Sequence, residues 1–171
     1  MAFTNLQVAL TELPSFEDVE FDDLDPSYAW LVCLVVVLVE LVLSVIAIIV
    51  WWELEVPQEI RERAWLVAVP MLGCFVLFPY YRFKASRAIR YAIRDHDVIL
   101  QSGLIWLSEV IQPIRRIQHV ELTRGPVEKR LGLANLRLYS AGSGKATFTL
   151  PGLRLLTAAR TRRYVLQAGR R

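Results

Sequence analysis

His96 and His119 are the only histidines in this 171-residue chain, and neither has a cysteine nearby or a second histidine at helical spacing. A tetrahedral metal site needs several such donors converging, usually delivered by short Cys or His spacings, so no metal ligand set is assigned. Nucleophilic catalysis needs a hydroxyl or thiol beside a base that a third group orients. Ser102, Ser108, Ser140 and Ser143 lack the Gly-x-Ser-x-Gly elbow, and His119, in an alternating run, reads as a strand residue rather than a base. Gly142-Ser143-Gly144 is too short a loop to cradle a phosphate. The sequence therefore predicts no catalytic, cofactor-binding or metal-binding residue, and the chain is read as a non-enzyme.

Two groups of residues carry chemistry of another kind. Arg82, Lys84, Arg87 and Arg90 crowd together directly after an apolar span. A base at that depth gains on the order of 1 kcal/mol from an anionic membrane surface. These four are assigned to membrane-surface or lipid contact, as non-specific adhesion first and as selective recognition of one anionic lipid second. Glu40 stands near the middle of an apolar span, where inserting an acidic side chain costs about 2.5–3.5 kcal/mol. Either it makes an intramembrane polar contact, bonding a polar group on a partner helix or lining a small polar path, or it is protonated and hydrogen-bonded locally, to Ser44 one turn later.

The elements that must hold these residues are two apolar spans, 29–52 and 64–81, of 24 and 18 residues. Crossing a bilayer core of about 30 Å takes roughly 20 apolar residues, so both can cross. Tyr28 and Trp30 open the first span and Trp51 and Trp52 close it, an arrangement suited to the two interfaces. Pro70 and Pro79 predict that the second span bends or ends early. Cys33 and Cys74 lie inside the spans and read as small apolar residues rather than disulfide partners. No Lys or Arg precedes the first span, only Arg61 and Arg63 lie in the connection 53–63, and Arg82, Lys84, Arg87, Arg90 and Arg94 follow the second. The positive-inside rule then puts both termini in the cytoplasm, with the connection facing outward across the membrane. The acidic first 28 residues are unlike the basic start of a signal peptide.

The net charge of +3 conceals a division. Residues 1–28 hold seven acids and no base, whereas residues 82–171 hold 18 Lys and Arg against five acids. An acidic tail on the same side as a basic domain can dock on it, within one chain or between chains. Nucleic acid is not expected as a partner, because the basic part is tethered to a bilayer and is poor in aromatics between Arg115 and Arg163.

After Phe83, alternation replaces continuous hydrophobicity and predicts strands over 89–94, 98–104, 105–111, 117–123, 136–141 and 146–150. Asp95-His96-Asp97 is a turn, Gly103 marks a bulge or close approach, Pro113 ends the third run, and 142–144 is a hairpin loop. Gly125-Pro126 opens a short helix that Gly132 ends. Residues 153–167 predict a terminal helix with Leu155, Ala158, Ala159, Val165 and Leu166 near one face and Arg162 interrupting it. The expected fold is α+β, a two-helix transmembrane hairpin followed by a bent antiparallel β-sheet or barrel capped by a C-terminal helix. It divides into an acidic tail (1–28), the hairpin (29–83) and a cytoplasmic domain (84–171).

Four blocks give that domain a family likeness: Gly103-Leu104, Pro113-Ile114-Arg115-Arg116-Ile117-Gln118-His119-Val120, Gly125-Pro126-Val127-Glu128-Lys129-Arg130-Leu131-Gly132-Leu133-Ala134, and Ala141-Gly142. Together, over residues 85–168, they resemble the bacterial pleckstrin-homology-like domain, with Gly103, Pro113, Ile117, Gln118, Val120, Gly125 and Gly132 carrying the motif. Two transmembrane helices ahead of one such domain are similar to the YdbS-like family of membrane proteins. The resemblance implies a seven-stranded, strongly bent sheet under one C-terminal helix and no known enzymatic activity. It also implies assembly with a larger multi-domain membrane protein of the same family or with further copies of the chain, in envelope stress tolerance or antimicrobial-peptide resistance. Phosphoinositide binding is not carried over, because the loop that holds the headgroup in eukaryotic relatives is here Asp95-His96-Asp97, whose two carboxylates repel phosphate. The expected function is a membrane-anchored interaction or scaffold protein, and the alternative is a lipid-handling protein selective for an anionic lipid.

Overall fold

A computed structural model describes residues 19–53, 57–140 and 148–169. The chain passes through β1 (Asp22–Asp23), α1 (Pro26–Glu53), α2 (Gln58–Glu62), α3 (Trp65–Arg87), β2 (Arg90–Ile93), β3 (Asp97–Ser102) and β4 (Ser108–Pro113). After a 3-10 turn, Ile114–Arg116, it continues through β5 (Ile117–Thr123), α4 (Pro126–Leu131), β6 (Leu133–Ser140), β7 (Phe148–Arg154) and α5 (Leu155–Ala168). The N-terminal part of the expected tail (1–18), the hairpin loop 142–144 and the Ala141-Gly142 block lie outside the described residues.

α1 is apolar on every side, and at 28 residues it is about 42 Å long, more than a bilayer core requires. Most of its Leu, Val and Ile side chains stand exposed on its surface, the condition of a helix whose solvent is lipid. Its less exposed stripe, including Val36, Glu40 and Ser44, follows helical spacing, and the helix packs along α3. α3 neither ends early nor breaks at its prolines: it stays helical through Pro70 and Pro79 and runs on to Arg87. A transmembrane helix tolerates the lost N–H groups because neighbouring structure re-satisfies the freed carbonyls.

The strands form two antiparallel sheets, ordered β1-β2-β3-β4 and β5-β6-β7. Val98, Ile114, Val120, Leu136, Leu138, Phe148, Leu150 and Leu153 are at the centre of the core between them, closed by Ala158 and Val165 of α5. The buried face of α5 is Ala158, Thr161 and Val165, with Leu155 and Ala168 packed at its ends. Thr161 therefore completes the stripe, while Ala159, Arg162 and Leu166 face outward. The expected face was displaced because Thr161, though polar, falls on the i, i+3, i+7 line that Ala159 and Leu166 leave.

Two other expectations change. The run 105–111 is a strand only from Ser108; residues 103–107 form the turn between β3 and β4. Gly103, at φ +113°, folds the chain so tightly that a Cβ would strike the Trp106 carbonyl oxygen. Residues 19–25 are also more than a tail. Asp22 and Asp23 pair with Tyr91 and Arg90 as the edge strand of the first sheet, and Leu24 is buried in the core. Of the seven strands among the described residues, one thus comes from before the hairpin, not from residues 85–168.

Candidate functional site at the membrane-proximal junction

The hairpin and the domain meet where β1 runs into α1 and α3 runs into β2. Asp25 followed by Pro26 is a helix-start signature, a capping acid ahead of the one residue that has no N–H to satisfy. Asp25 Oδ1 accepts the Ser27 N–H at 2.9 Å and the Asp25 carbonyl accepts the Tyr28 N–H at 2.9 Å. Its other oxygen accepts from Arg154 Nε at 2.6 Å, so one carboxylate caps α1 and ties it to the end of β7. Burial opposes charge on this carboxyl, but the Arg154 guanidinium and the Ser27 N–H outweigh it and hold Asp25 below the usual carboxylate range.

Tyr28, one turn into α1, rests on β7 at Gly152. There β6 and β7 shift register, so that Ala134 faces Leu153 but Leu136 faces Leu150. Asn135 stands opposite the extra pair Pro151-Gly152, a bulge that explains how a strand passes through a proline. Gly152 adopts φ +60°, its N–H donates to Asn135 Oδ1 at 2.9 Å, and a Cβ at this position would collide with the Tyr28 ring. Asn135 Nδ2 in turn donates to Glu128 Oε1 at 2.6 Å, while Glu128 Oε2 accepts the Gly125 N–H at 2.5 Å. Gly125 opens α4 and Gly132, at φ +71°, closes it. These two motif glycines therefore belong to a clamp that runs through Asn135 to the bulge beneath Tyr28.

The four bases expected at the membrane surface are brought to this junction, in two different settings. Arg82, Lys84 and Arg87 are exposed on the last turns of α3, with Lys84 Nζ 5.9 Å from the centre of the Tyr80 ring. Arg90 lies in β2, where its Nε is 3.1 Å from Asp23 Oδ1. Trp30 and Phe83 lock the two helices at the same level, ring centroids 4.8 Å apart. Glu40 is remote from this cluster. Ser44 does hydrogen-bond one turn back, but its Oγ donates to the main-chain carbonyl of Glu40 at 2.8 Å. The carboxylate oxygen Oε2 is shielded and has no hydrogen-bond partner among the described residues.

The remaining motif residues shape the domain. Gly103 makes the β3–β4 turn, and Pro113 leads into the 3-10 turn whose Ile114 plugs the core at 1 % exposure. Gln118 is the extra residue of a second bulge, between the Ile117–Ser140 and His119–Tyr139 pairs, and Val120 is buried. His119 lies against the Tyr139 ring, centroids 5.5 Å apart. The Tyr139 hydroxyl donates to Glu121 Oε2 at 2.6 Å, and that carboxylate, with lesser burial, pushes the phenol up.

The turn 95–97 is at the opposite end of β2 from the membrane. Asp95 accepts from the Tyr164 hydroxyl at 3.0 Å beside a cavity of about 380 Å³ lined also by His96, Ile114 and Arg115. Distance from the bilayer thus joins the two carboxylates as a reason not to place a lipid headgroup there. Sequence reasoning missed Asp25, Asn135 and Gly152, and read Tyr28 as an interface ring where the structure seats it on Gly152 of β7. The Asp25-Pro26 pair was a readable signal; the Tyr28–Gly152 contact, 124 positions apart, left none.

A family model described as "Bacterial PH domain" matches residues 8–169, a range that includes β1 and the hairpin as well as the later strands. The chain is 32 % identical over 108 residues to the UPF0699 transmembrane protein YdbS of Bacillus subtilis (strain 168), a match covering 61 % of this chain and 64 % of that protein. A solved structure, a DUF1696 family protein with a pleckstrin-homology domain from Shewanella loihica PV-4, aligns with a TM-score of 0.36 and 15 % identity. That alignment covers 47 % of this chain and 70 % of the other.

Proposed function

Because the chain belongs to the bacterial PH-domain family, we propose that it is a non-enzymatic, multi-pass inner-membrane protein that presents its domain at the cytoplasmic face for assembly with related membrane proteins. Both termini are cytoplasmic in this reading, following the excess of Arg and Lys after α3. The observation that carries it is the outer edge of β4, which pairs with no further strand among the described residues. β4 ends the first sheet, and its residues Ser108, Glu109, Val110 and Ile111 are all exposed. A strand edge left unpaired among the described residues, with apolar side chains, offers main-chain hydrogen bonds to a strand of another domain. The partner is a larger membrane protein with several such domains or a second copy of this chain, and the process is tolerance of envelope stress or antimicrobial peptides.

Purification of the tagged chain from detergent-solubilised membranes, followed by native mass spectrometry, tests this. A stoichiometric PH-domain membrane protein or a second copy, lost in Val110→Lys/Ile111→Lys, supports the reading; a complex unaffected by both substitutions counts against the β4 edge. A second reading, selective handling of an anionic lipid, draws support from the apolar cleft between α1 and α3 near α2. It measures about 910 Å³ and is lined by Ile48, Trp51, Trp52, Leu66 and Met71, together with Glu59 and Arg63. One strongly enriched lipid in native-membrane discs, with no protein partner, would favour it.

A further inference from the structure

We infer that the β3–β4 turn, residues 103–107, is a third membrane contact: it inserts Leu104, Ile105, Trp106 and Leu107 into the interface of the leaflet from which α3 emerges. Register places it there. β2 begins at Arg90, three residues after α3 ends, and Arg90 pairs with Gln101. The last β3–β4 pair is Ser102–Ser108. Strand β3 therefore points back towards α3, and its turn extends past Arg90 by two or more residues at about 3.3 Å each, to the side of Lys84 and Arg87. The other crossing helix gives the same bearing independently, since Asp23 pairs with Arg90 and α1 starts at Pro26. Both hairpin helices and the turn thus converge on one end of the sheet.

Composition and exposure identify the occupant. The four side chains are exposed by 49, 71, 85 and 70 %, and no charge occurs from Gln101 to Ser108. Four consecutive apolar residues held out in water would be an unfavourable surface, whereas Trp with Leu and Ile suits the boundary between headgroups and acyl chains. The close turn at Gly103 fixes them outward, so little ordering remains to be done on insertion. Arg82, Lys84 and Arg87 stand at the same boundary, where they can pair with lipid phosphates. The inference requires that the hairpin cross the bilayer but not that the domain face the cytoplasm or bind any protein, so it can fail while the proposed assembly stands.

The test uses the full chain in phosphatidylethanolamine–phosphatidylglycerol nanodiscs. In a Cys33→Ala/Cys74→Ala background, a nitroxide is attached at Ile105→Cys and, as control, at His96→Cys on the far end of the domain. The label at 105 should relax more with oxygen than with a water-soluble nickel chelate, and the label at 96 should do the opposite. A label at 105 that relaxes more with the nickel chelate, as the label at 96 does, places the turn in water and overturns the inference; shielding at 105 from both reagents means a protein cover and also overturns it. Trp106→Phe, at a site with no core contact to lose, gives a label-free check. The fluorescence it removes should be quenched by lipids carrying a nitroxide near the headgroup and not by aqueous acrylamide; quenching by acrylamide refutes insertion.

Discussion

Asp25 does two jobs with one carboxylate, and the one that needs its charge is the ion pair with Arg154. Its pKa is held below that of the unfolded chain, about 3.9. The stability it contributes is therefore fully present above that value and is lost as pH falls through the lower, folded one. Asp25→Asn should lower the melting midpoint of the full chain in nanodiscs at pH 7, and the gap from the native protein should close as the solution is acidified below about pH 4. A gap that persists unchanged in acid would mean that the ion pair with Arg154 contributes nothing. Glycine supplies a second test. Gly132 and Gly152 both have positive φ, but a Cβ at Gly132 meets open space while one at Gly152 meets Tyr28. Gly132→Ala should cost only the left-handed penalty of about 1–2 kcal/mol. Gly152→Ala should cost roughly 1–3 kcal/mol more, as overpacking does, and Tyr28→Ala should recover part of that excess. Denaturant titration of each variant measures the difference.

At the scale of elements, α1 carries its own anomaly. Ser44 satisfies a backbone carbonyl rather than the Glu40 carboxylate, so the local solution available from sequence spacing is not the one adopted. If Glu40 serves a helix of another chain, Glu40→Leu should leave the hairpin inserted and at least as stable, relieved of a cost of about 2.5–3.5 kcal/mol, while complexes held through α1 dissociate in native mass spectrometry. Complexes that survive intact would remove the partner-helix role. The same contrast between local pattern and distant packing explains what the sequence could and could not reveal. Hydropathy located α1 and α3, and alternation located β2, β5 and most of β3, because each pattern is written in consecutive residues. The short helix α4 was legible from Gly125, Pro126 and Gly132 for the same reason. The stretch 105–111 differs from its expected strand because a short continuous apolar run, Leu104 to Leu107, reads the same in an exposed turn as in a buried strand; the positive φ of Gly103 marks the turn. The four bases were legible as a cluster, yet the pairing of Arg90 with Asp23 was not, since it spans the whole hairpin.

The whole molecule is a domain interrupted by its own membrane anchor. β1 and Leu24 come from one side of the hairpin, and β2 to α5 come from the other, so the sheet cannot be completed until both helices have been placed. A fragment of residues 84–171 lacks an edge strand and one core leucine. Burial of a leucine side chain is worth about 1.5–3 kcal/mol, and 1 kcal/mol shifts the midpoint of a domain of this size by roughly 4–8 °C. Because β1 and β2 are antiparallel and Asp23 faces Arg90, the two can be joined directly: residues 19–25, a Gly-Asn-Gly turn, then residue 89 onward. This hairpin-free chain should melt cooperatively in mild detergent, on the order of 10 °C above the 84–171 fragment, and Leu24→Ala should abolish most of that advantage. Equal midpoints for the two chains would show that β1 is an ornament on a self-sufficient domain, and would leave the seating of Tyr28 on Gly152 and the Asp25–Arg154 pair as the contacts that tie the first hairpin helix to the domain.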